Sequence, residues 1–391
     1  MRINRSLMFA TMVFGLATLV VPSGTPPASA FSQVLKWRIV NSPSGGPQPA
    51  KNQFLAVADL SSANAWAVGT RSVSVNFPTA TLAEHWDGMR WSVVSTPKVF
   101  QPTAQLNSIA TDAQSDVFAA GFSDNPSCLC GKTIVERWMG QSWMRIPTPN
   151  PNVADYIDGI AAPSASDVWV VGQRWITQQS FEPLIMHFDG HLWKAVDTSQ
   201  LVGGNLFTIF ASASNDVWAI GDFGPIGQNS ILALHFNGSS WQQVSFPPNQ
   251  ADYTIIRSVS GTGSDDVWAA GFESASGFEF ALMYHWNGTA WMQVDVANLT
   301  QPSYFVGVKA IAPDDVWAVG QGVVQPNNNN IQNITYHWDG SGWSNVANPD
   351  DLQEAVYSGI AASSSEDVWA VGYGITQTPP HQGTFTMHYA P

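Results

Sequence analysis

Residues 363–374 read SSSEDVWAVGYG, and the core of that stretch, DVWAVG, decides how the rest of the chain is read. It returns as APDDVWAVGQG at 312–322, and relatives of it run back to SANAWAVGTR at 62–71. The glycine that ends each copy falls at Gly69, Gly121, Gly172, Gly221, Gly271, Gly320 and Gly372, in steps of 52, 51, 49, 50, 49 and 52 residues. A fixed period of that size is the signature of a repeat architecture. Each copy carries a second signature downstream, from EHWDGMRW at 84–91 to YHWDGSGW at 336–343. Its Asp-Gly or Asn-Gly pair is the strongest short hairpin signal.

The seventh copy stops at MHYAP, residues 387–391, before its final Trp strand. That strand is found at the other end of the chain, where LKWRIVNSP (35–43) matches the pattern of MRWSVVSTP (89–97). A linear solenoid has no use for such an offset; a ring does, because its first strand completes its last repeat. Each repeat reads as four short strands. In the first, a branched residue stands nine positions before the motif aromatic: Val57, Ile109, Ile160, Ile209, Val259, Val308 and Ile360. A small residue precedes it every time (Ala56, Ser108, Gly159, Thr208, Ser258, Gly307, Gly359), as a crowded central axis requires. The expected fold is all-β: a seven-bladed β-propeller over residues 31–391, with four antiparallel strands per blade and the N-terminal strand closing the ring.

Composition supports this and narrows the partners. Only 11% of the 391 residues are charged, while 18 are Trp, and no segment shows sustained helical periodicity. The N-terminus pairs a basic MRINR with an apolar run and a small-residue site ending at Ala30, the pattern of a cleaved secretory signal over residues 1–30. The net charge of −14 becomes −16 once Arg2 and Arg5 are removed. So acidic a chain is a poor partner for nucleic acid or an anionic membrane, which call for clustered Lys and Arg. No later stretch is long and apolar enough to span a bilayer. A soluble monomer, secreted or held at the cell surface, is expected.

The glycine-ended second strand, followed by an aromatic-Asp-Gly stretch and a Trp, resembles kelch and galactose-oxidase-type propellers across nearly all of residues 31–391. One Gly follows VWAV where kelch repeats carry two, and the sialidase Asp-box is not matched. The resemblance implies a propeller that binds proteins or glycans, and in a few members a copper oxidase. A copper centre of that kind would need a Tyr-Cys pair with further Tyr and His ligands, and no such constellation stands in this chain. No cofactor is expected.

Most of the conspicuous residues read as architecture. Trp66, Trp169, Trp218, Trp268, Trp317 and Trp369, with Phe118 in the second copy, are expected to fill the wedges between blades. His85, His187, His235, His285, His337 and His388 share one repeat position, with Arg137 in the second copy. Strands lie about 4.8 Å apart, so these imidazoles on separate blades cannot converge on a metal at about 2 Å; a structural hydrogen bond is expected. The recurrent Asp before Val-Trp, replaced by Asn64 in the first copy, reads as a turn former. Cys128 and Cys130 invite a disulfide in an exported chain, although the close spacing leaves a free pair or an intermolecular link open.

Function should lie on one face. The turns between first and second strands and between third and fourth are uniform in length and chemistry, whereas the other connections vary, as in QRWITQQSFEP and FESASGFEF. Binding residues concentrate on loops held by a rigid scaffold. The candidate ligand-binding residues are therefore the aromatics of the varied face that the repeat does not require: Trp175, Tyr156, Tyr253, Tyr304 and Phe278. With Asn, Gln and Asp nearby they suit a neutral sugar polymer. A binding or adhesion module for an extracellular glycan or protein is expected, with no catalytic residues. The alternative, a polysaccharide hydrolase or lyase, requires Asp155, Asp158, Glu182 or Glu279 to converge near the axis.

Overall fold

The computed structural model describes residues 35–43, 51–73, 79–112, 116–125, 127, 128, 130–224, 230–248, 251–296, 299, 302–325, 328–349, 355–377 and 380–391; the leader expected over residues 1–30 lies outside them. The repeats form seven four-stranded antiparallel sheets. Blade 1 runs from the inside outwards as Gln53–Ser61, Asn64–Ser72, Thr79–Trp86 and Trp91–Val93. Blade 7 consists of Ala355–Ser364, Asp367–Gln377 and Pro380–Ala390, and its outer strand is Lys36–Val40 from the other end of the chain. Trp37 pairs with Tyr389 across that closure. The remaining inner strands are Thr103–Thr111, Ala154–Ser164, Gly204–Ala213, Tyr253–Gly263 and Ser303–Ala312, for blades 2 to 6.

The motif tryptophan crosses from one blade to the next. Trp218 is fully buried, stacked on His235 of its own blade and edge-on to Trp286 and Trp291 of blade 5, with ring centroids 4.9 and 5.2 Å away. Trp369 makes the same contacts to Trp86 and Trp91, so the seam between blades 7 and 1 is built like the others. Burial of one such indole contributes about 2–3 kcal/mol.

Beneath each Trp the histidine has its own partner. His187 meets Asp167 at 2.6 Å, His285 meets Asp266 at 2.7 Å and His388 meets Asp367 at 2.6 Å. Both exceptions are compensated: His85 bonds Asn64 at 2.9 Å, and Arg137 pairs with Asp116 at 2.6 Å. The histidines are structural, as expected. The recurrent Asp does more than form a turn, since it is the acceptor that fixes the imidazole. Burial disfavours the charge on Asp167 and Asp367, but donors, His187 and His388 first among them, outweigh it and hold both carboxyls below the usual range. Cys128 and Cys130 form a disulfide in the loop between the second and third strands of blade 2.

The motif glycine has a steric cause that the sequence does not disclose. In every blade the inner strand slips by one residue opposite it. Phe54 pairs with Gly69 and Ala56 with Val68, which leaves Leu55 outside the ladder. The same slip recurs at Asn107, Asp158, Phe207, Arg257, Val306 and Ser358. Such a bulge bends its strand, and a Cβ on the opposing glycine would sit only 1.9–2.2 Å from the carbonyl oxygen two residues before the bulged one. Only glycine fits there.

Hydroxyls sew neighbouring inner strands together. Ser108 accepts from the Ile160 amide, Thr208 from Val259 and Ser258 from Val308, at 3.2, 3.2 and 3.1 Å. The small residues beside the axis thus serve the blade seams as well as the steric limit.

One buried acid sits at the ring closure. Glu84 of blade 1 is 0% exposed and accepts a 2.8 Å hydrogen bond from Ser42, which follows the closing strand. Burial pushes its carboxyl from 4.5 up to about 8, with Ser42 opposing. Between those values the folded protein keeps a proton that the unfolded chain has lost, so stability falls as pH rises and the loss is complete above about 8. Glu84→Gln is expected to flatten the decline of the thermal midpoint between roughly pH 5 and pH 9; an unchanged slope would place the titration elsewhere.

Candidate functional site at the channel mouth

The bulge that the glycine permits also aims a side chain. Leu55, Asn107, Asp158, Phe207, Arg257, Val306 and Ser358, one from each blade, all line the axial channel, a cavity of about 530 Å3. They lie in the first half of their strands, on the side of the varied connections. Neighbouring positions repeat in chemistry, large and apolar before and small after; this one is different in every blade. A position fixed by the fold and free in identity is what recognition needs.

The ring is polarised. Asn107 donates to the Asp158 carboxylate at 3.0 Å and to the Ile157 carbonyl at 2.9 Å. Burial pushes Asp158 up to about 6, opposed by Asn107 and by the charge of Arg257. The Arg257 guanidinium lies 5.7 Å from the ring of Phe207 and 5.7 Å from that of Phe272. Leu55 and Val306 supply apolar wall, and Ser358 a hydroxyl.

Arg257, Val306 and Ser358 also line an adjoining cleft of about 500 Å3 over blades 5 to 7, whose other walls include Phe272, Glu279, Tyr304 and Tyr373. Tyr304 donates its hydroxyl to Gln321. Burial first, then the charge of Glu279 and the neighbouring Tyr373, push its pKa up, and Arg257 opposes them. At the far end of the channel Asp59 accepts the Ser363 amide at 2.8 Å. Burial and the charge of Asp367 push it up to about 7, while burial lowers Lys309 nearby.

Of the aromatics singled out from sequence, Tyr304 lines this cleft. Tyr253 stands close to it, 6.3 Å from Phe272. Phe278 is 57% exposed at the tip of its hairpin. Trp175 is half-buried, packed on Phe181 at 5.0 Å with its indole N–H on Gln173. Tyr156 is wedged against Phe122 and bonds Asp124, beneath the loop that carries the disulfide. Among the carboxylates, Glu182 is held by Arg174 at 2.7 Å and Asp155 by Asn152 at 2.9 Å. Asp158 shares the channel with Arg257, and Glu279 shares the cleft with it. Sequence reading passed over Arg257, Phe207 and Asn107. The signal that would have found them was the one inner-strand position whose chemistry does not repeat.

No protein-family model matches the chain, and no curated protein sequence does. Solved structures share its fold. YCF48 bound to D1 peptide superposes with a TM-score of 0.57 at 14% identity, over 91% of this chain and 97% of that one. A GH74 xyloglucanase from Xanthomonas campestris gives 0.56 at 13%, over 89% of this chain and 55% of that one. The β-propeller domain of the Trilobed protease from Pyrococcus furiosus gives 0.53 at 9%, over 86% and 93%. Likeness at such identities establishes the propeller alone. Among the described residues no helix is long and apolar enough to cross a membrane.

Proposed function

We propose that this protein is an exported binding module that takes a glycan chain at the mouth of its axial channel. Export rests on the leader pattern of residues 1–30. The observation that carries the binding site is the ring of bulged residues, one per blade and no two alike, facing one cavity. Beside it the cleft offers flat rings (Phe272, Tyr304, Tyr373) and fixed polar groups, the two features that sugar recognition combines. Trp175, Tyr253 and Phe278 on the same face would extend that surface outwards.

Binding is favoured over cleavage by the state of Tyr304. A lyase needs a ready base, whereas this phenol already donates to Gln321 and is held protonated. A hydrolase remains the second reading because Asp158, raised to about 6 at the same mouth, suits a general acid. Peptide is the other class of ligand to weigh, since YCF48, a propeller of the same fold, binds the D1 peptide.

Mature protein, residues 31–391, is to be titrated against a panel of polysaccharides beside Phe207→Ala and Val306→Trp. Saturable binding weakened at least about tenfold in both variants, with unchanged thermal midpoints, is expected. Equal binding by wild type and both variants would remove the site from the channel mouth. Release of reducing ends from a bound polymer, lost in Asp158→Asn, would move the assignment to the hydrolase.

A further inference from the structure

Resting on that reading of the mouth, we infer that the glycan is acidic and that Arg257 anchors the carboxylate of a uronic acid residue. In a chain with 29 acidic and 15 basic residues, arginines are expected to be paired, and several are. Arg137 binds Asp116 at 2.6 Å, Arg145 binds Glu136 at 2.8 Å and Arg174 binds Glu182 at 2.7 Å. Arg257 is different. It is exposed to the cavities, and its guanidinium makes no hydrogen bond or ion pair among the described residues. Two carboxylates that share its cavities are otherwise placed: Asp158 accepts from Asn107, and Glu279 lines the cleft.

The side chain is nevertheless held. Phe207 and Phe272 each lie 5.7 Å from its charge, so two aromatic rings position the cation and leave its polar edge free. A planar fork of N–H donors fits a carboxylate through two parallel bonds, which a point charge cannot copy. A neutral sugar seated over it would strip water from the cation and return nothing in charge, at a cost in free energy. The unpaired guanidinium therefore replaces the neutral polymer expected from sequence with an acidic one. The rings of Phe272, Tyr304 and Tyr373, in a cleft of about 500 Å3, offer the apolar surface on which a pyranose face stacks, and this favours a sugar acid over the carboxylate of a peptide terminus.

The test is calorimetric titration of mature protein with oligogalacturonate, oligoalginate and a glucuronate-containing oligosaccharide, each beside its methyl-esterified form, and with neutral oligosaccharides. At least one free acid is expected to bind about tenfold or more tightly than its ester. That advantage should disappear in Arg257→Gln and return in part in Arg257→Lys, which restores charge without the fork. Thermal midpoints of both variants should stay within a few degrees of wild type, since the guanidinium makes no hydrogen bond or ion pair and only its two ring contacts are at stake. Binding of a neutral oligosaccharide or an ester as tight as that of any free acid, or an Arg257→Gln variant that keeps the discrimination, would overturn the acidic ligand while leaving the glycan site intact. Binding of no oligosaccharide, with capture of an acidic peptide through Arg257, would overturn both.

Discussion

Deletion of residues 35–43 is expected to leave a chain that does not unfold cooperatively. Blade 7 would keep three strands, and its third strand, Pro380–Ala390, would present an unpaired edge where Lys36 to Val40 now face Ala390 to Thr386. The lost strand also carries Trp37, 4% exposed, whose indole stands edge-on to Trp317 at 5.8 Å and against Tyr389 at 5.5 Å. Removal would expose those rings and cut the ties from Thr386 to Val40 and from Ser42 to Glu84. Trp37→Ala alone should cost about 3–5 kcal/mol, as other buried Trp truncations do. A thermal or denaturant melt of each variant, with recovery on addition of the peptide LKWRIVNSP, checks the point. A deleted chain that melts as sharply as wild type would show that closure contributes nothing to stability.

Gly221→Ala should be the most damaging single methyl added to the molecule. The new Cβ would meet the Asn205 carbonyl oxygen at 1.9 Å and the Leu206 Cα at 2.6 Å, and both belong to backbone that is fixed by strand pairing. Relief requires the bulge at Phe207 to flatten or the two strands to part. Either change shifts the register of blade 4 against its neighbours, at a cost on the order of 3 kcal/mol or more. Gly203→Ala is the control. That glycine has a positive φ of 86° but nothing within 4 Å of an added Cβ, so only backbone strain of about 1 kcal/mol is at stake. Unfolding curves that rank the two equally would contradict the steric account of the motif glycine.

Much of this architecture was legible because it repeats. The spacing of seven glycines sets the blade number, MHYAP and LKWRIVNSP reveal the closure, and His on separate blades excludes a shared metal. Each of those inferences needs only periodicity and strand spacing. The partner of His was harder, because Asp167 and His187 are 20 residues apart and only strand pairing shows that they meet. Tyr156 and Tyr304 look alike in sequence, each just inside an inner strand. One is wedged under a loop beside Gly131 and the other opens on a cleft, a difference made by what lies opposite. The ring itself escaped a search for repeated residues for a simple reason: the fold repeats the backbone slip and varies the side chain.

That slip also bears on how such a protein changes over time. A residue that leaves the ladder makes no cross-strand pair, so its identity is decoupled from the strand pairing of its own blade. Gene duplication of a blade would copy the Trp, the His and the Gly as a working scaffold, and with them an aimed but uncommitted vertex on the axis. Substitutions at those seven vertices, from Leu55 round to Ser358, can drift apart from the blades that present them, coupled only where neighbours touch, as Asn107 does with Asp158 and Phe207 with Arg257. Ligand preference can then diverge quickly among descendants that keep one unaltered frame.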